Sequence, residues 1–158
     1  MSNTGYYVIM LLAGIGIPVM AALNGTLGKH LNNTVFAAIV LFGVAFICCI
    51  GVYLLTPQKI TQSTEKLAYY FYLGGLLVAF YVLSITWLGP KLGLTTAILL
   101  VVFGQLISSS VIDHFGLFNA PVKEFNGTKG IALLLVFAGL ILNSMSVSYT
   151  HLRAHETV

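Results

Sequence analysis

Five long runs of apolar residues follow one another along the chain, and short polar segments separate them. The runs cover residues 6–27, 35–55, 67–88, 94–112 and 131–145. None of the five contains an Asp, Glu, Lys or Arg. About 20 apolar residues suffice for one helical crossing of a bilayer, and no run alternates with the period of two that a transmembrane strand requires. The pattern predicts an all-α bundle of five transmembrane helices in one domain, residues 1–146.

Composition and the positions of the aromatic residues support a membrane location. Only 7% of the residues are charged and 58% are hydrophobic, whereas soluble proteins contain roughly 25% charged residues. Tyrosine and tryptophan concentrate near the ends of the runs, as in the aromatic belts at membrane interfaces: Tyr6, Tyr7, Tyr53, Tyr69, Tyr70, Tyr72 and Trp87. We therefore expect a multi-pass protein whose main partner is the lipid bilayer. So few charges also argue against nucleic-acid binding.

The lysines between the runs indicate the orientation only weakly. Four of them fall on the side of the N-terminus and two on the opposite side: Lys59, Lys66, Lys123 and Lys129 against Lys29 and Lys91. An excess of positive residues marks the cytoplasmic side, which favours a cytoplasmic N-terminus. A protein that inserts in both orientations and pairs antiparallel would have a similar pattern, so dual topology stays open.

The first run combines a proline, several small residues and an asparagine. Pro18 lies in the middle of the run and removes one helical hydrogen bond. Gly14, Ala22 and Gly25 fall near the same helix face, where another helix can approach closely. One interpretation is a bent helix that lines a substrate path, with Asn24 as a hydrogen-bonding contact. The other is tight helix packing, with Asn24 at the membrane edge.

The fourth run carries a stripe of polar side chains. Gln105, Ser109 and Asp113 are spaced four residues apart, so they share one helix face. Polar side chains in a membrane usually face the interior of the bundle, which makes these residues candidates for a substrate or ion path. Alternatively, Asp113 simply ends the helix, with Gly116 near its C-terminal cap. We favour this second interpretation for Asp113, and an inward contact for Gln105.

The sequence contains none of the usual signs of catalysis. No carboxylate lies within a run, and we find no nucleophile–base pair, no glycine-rich phosphate loop and no metal-ligand cluster. We therefore expect no enzymatic activity, no cofactor and no metal site.

The C-terminal segment differs in character from the rest of the chain. Residues 147–157, VSYTHLRAHET, resemble the translation of a transposon-type sequencing-library adapter. We expect the natural sequence to end near Ser146 and the tail, residues 147–158, to be artefactual.

Several short motifs together resemble the small YdcZ-like family of the drug/metabolite transporter superfamily. The resemblance extends from about residue 7 to residue 143. It rests on GIP at 16–18, NGTL at 24–27, FGV at 42–44, LGPKLG at 88–93, GQL at 104–106 and IDHFG at 112–116.

This resemblance implies a five-helix half-unit of a ten-helix, inverted-repeat transporter, which would pair with itself or with a sister five-helix protein. Inverted repeats around a midplane site suit alternating access. The expected function is secondary transport of a small organic solute or metabolite across the bacterial inner membrane, as a dimer. The substrate-path candidates are Pro18, Asn24, Gln105, Ser109 and Asp113. The alternative is a non-transporting membrane scaffold or accessory subunit, in which the polar stripe is a helix–helix contact.

Overall fold

The computed structural model describes residues 3–56 and 68–155 of the chain, and this part consists of helices without strands. The five long helices are α1 (Asn3–His30), α2 (Thr34–Leu55), α3 (Gly74–Leu92), α4 (Leu94–Phe115) and α5 (Gly127–His155). Two short 3₁₀ segments, Tyr69–Leu73 and Leu117–Asn119, precede α3 and follow α4. The described residues do not include Lys59 and Lys66, the predicted beginning of the third run at Leu67, or the last three residues of the tail.

Each long helix has the length and hydropathy to cross a membrane. The candidate spans are Thr4–His30, Thr34–Leu55, Tyr69–Leu92, Leu94–Phe115 and Gly127–Met145. A 22-residue span such as α2 is about 33 Å long at 1.5 Å per residue, slightly more than the roughly 30 Å hydrocarbon core. The predicted all-α class with five transmembrane helices is therefore confirmed.

A tight turn joins α1 to α2. The Asn33 amide donates to the carbonyl of Gly28 at 3.0 Å, and the Asn32 amide donates to that of Lys29 at 3.1 Å. This bond pair is the Schellman arrangement, and Asn32 provides its left-handed residue with φ of 49°. The Asn33 side chain then caps α2 by accepting from the amide of Phe36 at 2.9 Å. Each asparagine thus has a defined task at a helix end.

Helix α3 extends beyond the third apolar run. Gly89, Pro90 and Lys91, which the sequence places in a link, form its last turn, and Gly93 with φ of 83° separates it from α4. Proline removes the amide that would bond the carbonyl of Thr86. Transmembrane helices tolerate proline because neighbouring groups can satisfy the freed carbonyl, so the helix can continue through Pro90.

Helix α4 ends at a left-handed glycine. Gly116 has φ of 60°, and its amide donates to the carbonyl of Ile112. A Cβ atom at this position would come within 2.8 Å of Val122 Cγ2, so both backbone conformation and space favour glycine here. The residues that follow fold back on the helix end, where the Lys123 amide donates to the carbonyl of Asp113 at 2.8 Å.

The chain divides into two compact units, one through Lys91 and the other from Leu92. In the first unit, the buried residues lie in the second half of α1, the beginning of α2 and the second half of α3: Ala21, Asn24, Gly25, Gly28, Ala37, Ala38, Val82, Ile85, Thr86 and Gly89. In the second unit, α4 packs against α5, and the Phe103 and Phe137 rings lie 5.3 Å apart between centroids.

The packed face of α1 agrees with the predicted one at Gly25 and differs from it elsewhere. The buried positions are Ala21, Asn24, Gly25 and Gly28, whereas Ala22 is exposed. A Cβ atom at Gly14 would meet nothing within 4 Å, but one at Gly28 would lie 3.5 Å from Thr34 Cα and from Thr86 Cγ2. Close helix approach therefore occurs near the C-terminal end of α1 rather than around Pro18.

Candidate functional site

A buried hydrogen bond between two helices is the best-defined polar feature of the first unit. The Asn24 side-chain amide of α1 donates to the Thr86 hydroxyl of α3, with 2.7 Å between Nδ2 and Oγ1. Asn24 is only 4% exposed and Thr86 only 3%. Both polar groups therefore have a partner inside the protein, which offsets the cost of removing them from water.

Small residues allow this bond to form. Gly25 and Gly28 follow Asn24 on the same face of α1, and both are buried. A Cβ atom at Gly25 would lie 3.7 Å from the Pro90 ring, so α1 and α3 approach closely at this level. At the end of α1 and α3, Thr86 also borders a cavity of about 390 Å³. The Asn24–Thr86 pair thus lies next to open space rather than in the middle of a dry core.

The other candidate on α1, Pro18, is half-buried inside the helix. It lies six residues before Asn24, on a segment where the neighbouring side chains are mostly exposed. Its predicted part in a substrate path stays a prediction.

The polar stripe of α4 is exposed along most of its length. Gln105 and Ser109 are both exposed, and the Gln105 side chain makes no hydrogen bond in the described part of the chain. The Ser109 and Ser110 hydroxyls donate to the carbonyl of Leu106 in their own helix, at 3.2 and 2.7 Å. The serines are thus satisfied locally, while the Gln105 amide is available to a group from outside.

Asp113 lies at the end of α4, in a network that holds the following segment. Its Oδ2 is 3.9 Å from Lys129 Nζ, with the two side chains about one third exposed. The Lys129 ammonium also donates to the carbonyl of Lys123 at 3.2 Å, and the Phe125 amide donates to His114 Nδ1 at 3.2 Å. This geometry agrees with the interpretation that Asp113 and His114 end the helix, next to the Gly116 cap.

A second asparagine–threonine pair occurs in the second unit. The Asn143 side-chain amide of α5 donates to the Thr96 hydroxyl of α4 at 2.9 Å, in a partly buried position. The described parts of both units therefore contain a side-chain hydrogen bond of the same chemistry between two helices. Hydrogen bonds of this kind are common between transmembrane helices, where they add to packing.

The sequence-predicted candidates do not form one cluster in the described part of either unit. Asn24 and Pro18 belong to α1, whereas Gln105, Ser109 and Asp113 lie along α4. Sequence reasoning missed Thr86, the partner of Asn24. No pattern in the third run singles out Thr86, because Tyr81, Ser84 and Trp87 of the same run can also form hydrogen bonds. Sequence reasoning also missed Tyr81, whose buried hydroxyl has no partner among the described residues.

Comparison with protein families gives a match over most of the chain. Residues 5–142 match the model of a family described as "Putative inner membrane exporter, YdcZ". The match includes most of α1, all of α2 to α4 and the first half of α5. The curated proteins give no match, and neither do the solved structures.

Proposed function

Because the chain belongs to the YdcZ family of the drug/metabolite transporter superfamily, we propose that it is a secondary transporter that moves a small organic solute across the bacterial inner membrane as a dimer. It is a multi-pass protein of that membrane, and the described part of the chain has five helices that are long and apolar enough to span it. The observation that carries the proposal is the family match itself, since it extends over 5–142. The family description specifies export, so we expect the solute to leave the cell.

The α4 stripe supports a pathway beside this helix. Gln105 lies twelve positions into a 22-residue spanning helix, so its amide is near the membrane midplane. A polar side chain at this depth is costly when it faces lipid, and it usually faces protein or a water-filled cavity. Its two N–H groups and its carbonyl can bind a solute that carries hydroxyl, amide or carboxylate groups.

The same residue supports the proposed dimer. One copy leaves the Gln105 amide exposed and unpaired within the described part of the chain. A second copy, or a sister five-helix protein, would cover it and complete a two-fold bundle around the pathway. Paired five-helix halves also match the inverted-repeat architecture that suits alternating access.

Solute flux in proteoliposomes tests the proposal. Purified protein is reconstituted into liposomes, an outside mixture of amino acids, organic acids, sugars and amines is added, and a proton or sodium gradient is imposed. Mass spectrometry of the lumen then identifies any accumulated solute. We expect at least one solute to accumulate, and Gln105→Ala to reduce its initial rate about tenfold, as expected for one lost hydrogen bond to a bound polar group.

Ser144→Ala is the matched control. Ser144 is an exposed polar residue of α5, and among the described residues its hydroxyl bonds only the carbonyl of Ile141 in the same helix, at 2.8 Å. Its loss should leave flux unchanged. If the parent protein moves no solute under either gradient while it stays helical, the non-transporting scaffold becomes the better interpretation. A monomer in nanodiscs by native mass spectrometry would contradict the dimer.

A further inference from the structure

A pocket at one end of the first unit collects hydrogen-bond donors from three helices. The cavity of about 390 Å³ lies where α1 ends, α2 begins and α3 ends. We call it the lysine pocket. The side chains that matter here are Lys29, Asn32, Thr34, Thr86, Trp87 and Lys91.

The polar side chains that line the lysine pocket can all donate hydrogen bonds, and none of them is acidic. Each of the six side chains has an N–H or O–H group that can donate, and the two lysines add two positive charges. The residues described in the first unit, 3–56 and 68–91, contain no aspartate or glutamate. No carboxylate in that part of the chain therefore neutralises Lys29 or Lys91.

The helix termini hold these donors in place. The Schellman turn fixes Asn32 in its left-handed conformation beside Thr34, the first residue of α2. The N-terminal end of α2 carries a partial positive charge, which favours an anion, and Lys29 and Lys91 offset the partial negative charge at the C-terminal ends of α1 and α3. Lys91 is also positioned, because its Nζ lies 4.0 Å from the centre of the Trp87 ring, in the range of a cation–π interaction.

Thr86 links the pocket to the buried hydrogen bond. Its hydroxyl accepts from Asn24, so its own hydrogen stays available to donate. Asn24 therefore orients the Thr86 hydroxyl at the wall of the pocket, while the Asn24 side chain itself does not line the pocket.

From this arrangement we propose that the lysine pocket binds an oxyanion, a phosphate or carboxylate group, between Lys29 and Lys91. The oxyanion can belong to a soluble anion or to the headgroup of an anionic phospholipid, because both carry the same kind of negatively charged oxygen atoms. The proposal does not depend on transport and is tested by binding alone.

The lysines also have a structural explanation that the test must separate from binding. Both lie in the last turn of their helices, where a positive charge offsets the partial negative charge of the helix terminus. That role alone predicts a change in stability without any anion, and no saturable anion binding.

The fluorescence of Trp87 provides a direct measurement. The chain contains a single tryptophan, and it borders the pocket. Protein in a neutral detergent is titrated with inorganic phosphate, acetate, short-chain phosphatidylglycerol or short-chain phosphatidylcholine. We expect a saturable change with phosphate or acetate if the site takes soluble anions, and with phosphatidylglycerol alone if it takes lipid headgroups. The zwitterionic phosphatidylcholine should bind at least tenfold more weakly than phosphatidylglycerol.

Variants locate the site. Lys29→Gln and Lys91→Gln should each weaken binding about tenfold or more, since one charge-assisted hydrogen bond is lost. Lys91→Arg should retain it, because the guanidinium also binds oxyanions. Lys123→Gln is the matched control, an exposed lysine of the second unit, and should bind like the parent. Circular dichroism without ligand checks that each variant is folded.

Three results would overturn the proposal. The first is the absence of a saturable signal from the parent protein with any anionic probe, which needs no variant to interpret. The second is equal affinity for phosphatidylglycerol and phosphatidylcholine without binding of phosphate or acetate. The third is unchanged anion affinity in folded Lys29→Gln and Lys91→Gln.

Discussion

Replacing Thr86 with valine removes the hydroxyl that accepts the Asn24 hydrogen bond and keeps the shape of the side chain. The Asn24 amide, 4% exposed, then has no partner among the described residues. A buried polar group left unsatisfied costs about 1–3 kcal/mol. Side-chain hydrogen bonds between membrane helices have coupling energies that average about 0.6 kcal/mol and reach about 1.7 kcal/mol.

The geometry places this bond in the upper part of that range. The distance of 2.7 Å between Nδ2 and Oγ1 is at the short end for an N–H···O bond, and both residues are buried. We therefore expect a coupling energy of about 1–1.5 kcal/mol between Asn24 and Thr86 in a double-mutant cycle. The cycle compares Asn24→Ala, Thr86→Val and the double variant, so that the cavity left by Asn24→Ala cancels.

Reversible unfolding by sodium dodecyl sulfate in mixed micelles measures the free energy of unfolding for each variant. Trp87 fluorescence and far-ultraviolet circular dichroism should give the same transition, as two-state unfolding requires. The partly buried Asn143–Thr96 pair, with 2.9 Å between donor and acceptor, is the comparison, and we expect about 0.5 kcal/mol there. An Asn24–Thr86 coupling below about 0.3 kcal/mol, within the usual error of additivity, would refute the reasoning.

Three smaller predictions use the same unfolding measurement. Gly116→Ala should destabilise the protein by about 1–2 kcal/mol, because φ is 60° there and left-handed backbone is costly for alanine; Gly104→Ala, in open space inside α4, should instead be neutral or stabilising by up to about 1 kcal/mol, and equal effects would contradict this. Asp113→Asn should cost less than about 1 kcal/mol, since the ion pair with Lys129 is partly exposed, and the effect should shrink with added salt. Tyr81→Phe removes a buried hydroxyl that has no partner in the described part of the chain and should be neutral or stabilising; a loss above about 1 kcal/mol would reveal a partner.

The sequence alone determines the number and kind of helices. A run of about 20 residues without charge has one stable solution in a bilayer, because each backbone group must find its partner within the segment. The C-terminal end of α4 could also be predicted from the sequence. Gly116 follows a polar helix end, and the left-handed conformation seen there is one that glycine adopts at little cost.

The contacts between helices could not be predicted from the sequence. The small residues of α1 indicated close packing, but only the tertiary structure shows that Gly28 and Asn24, rather than Gly14 and Ala22, make the contact. Helix periodicity places residues on a face. It does not determine at which height a neighbouring helix crosses that face.

The same distinction explains what the sequence determined about the candidate sites. Gln105 was identifiable as polar within an apolar run, since its cost in lipid depends on its own position along the helix. Thr86 became a candidate only with its partner, 62 residues earlier in the chain, and Lys29 and Lys91 only with the cavity that they share. Membrane insertion depends on local composition, so the sequence by itself determines it. A hydrogen bond between helices or a charged pocket depends on which helices come into contact, and only the packing of the tertiary structure decides that.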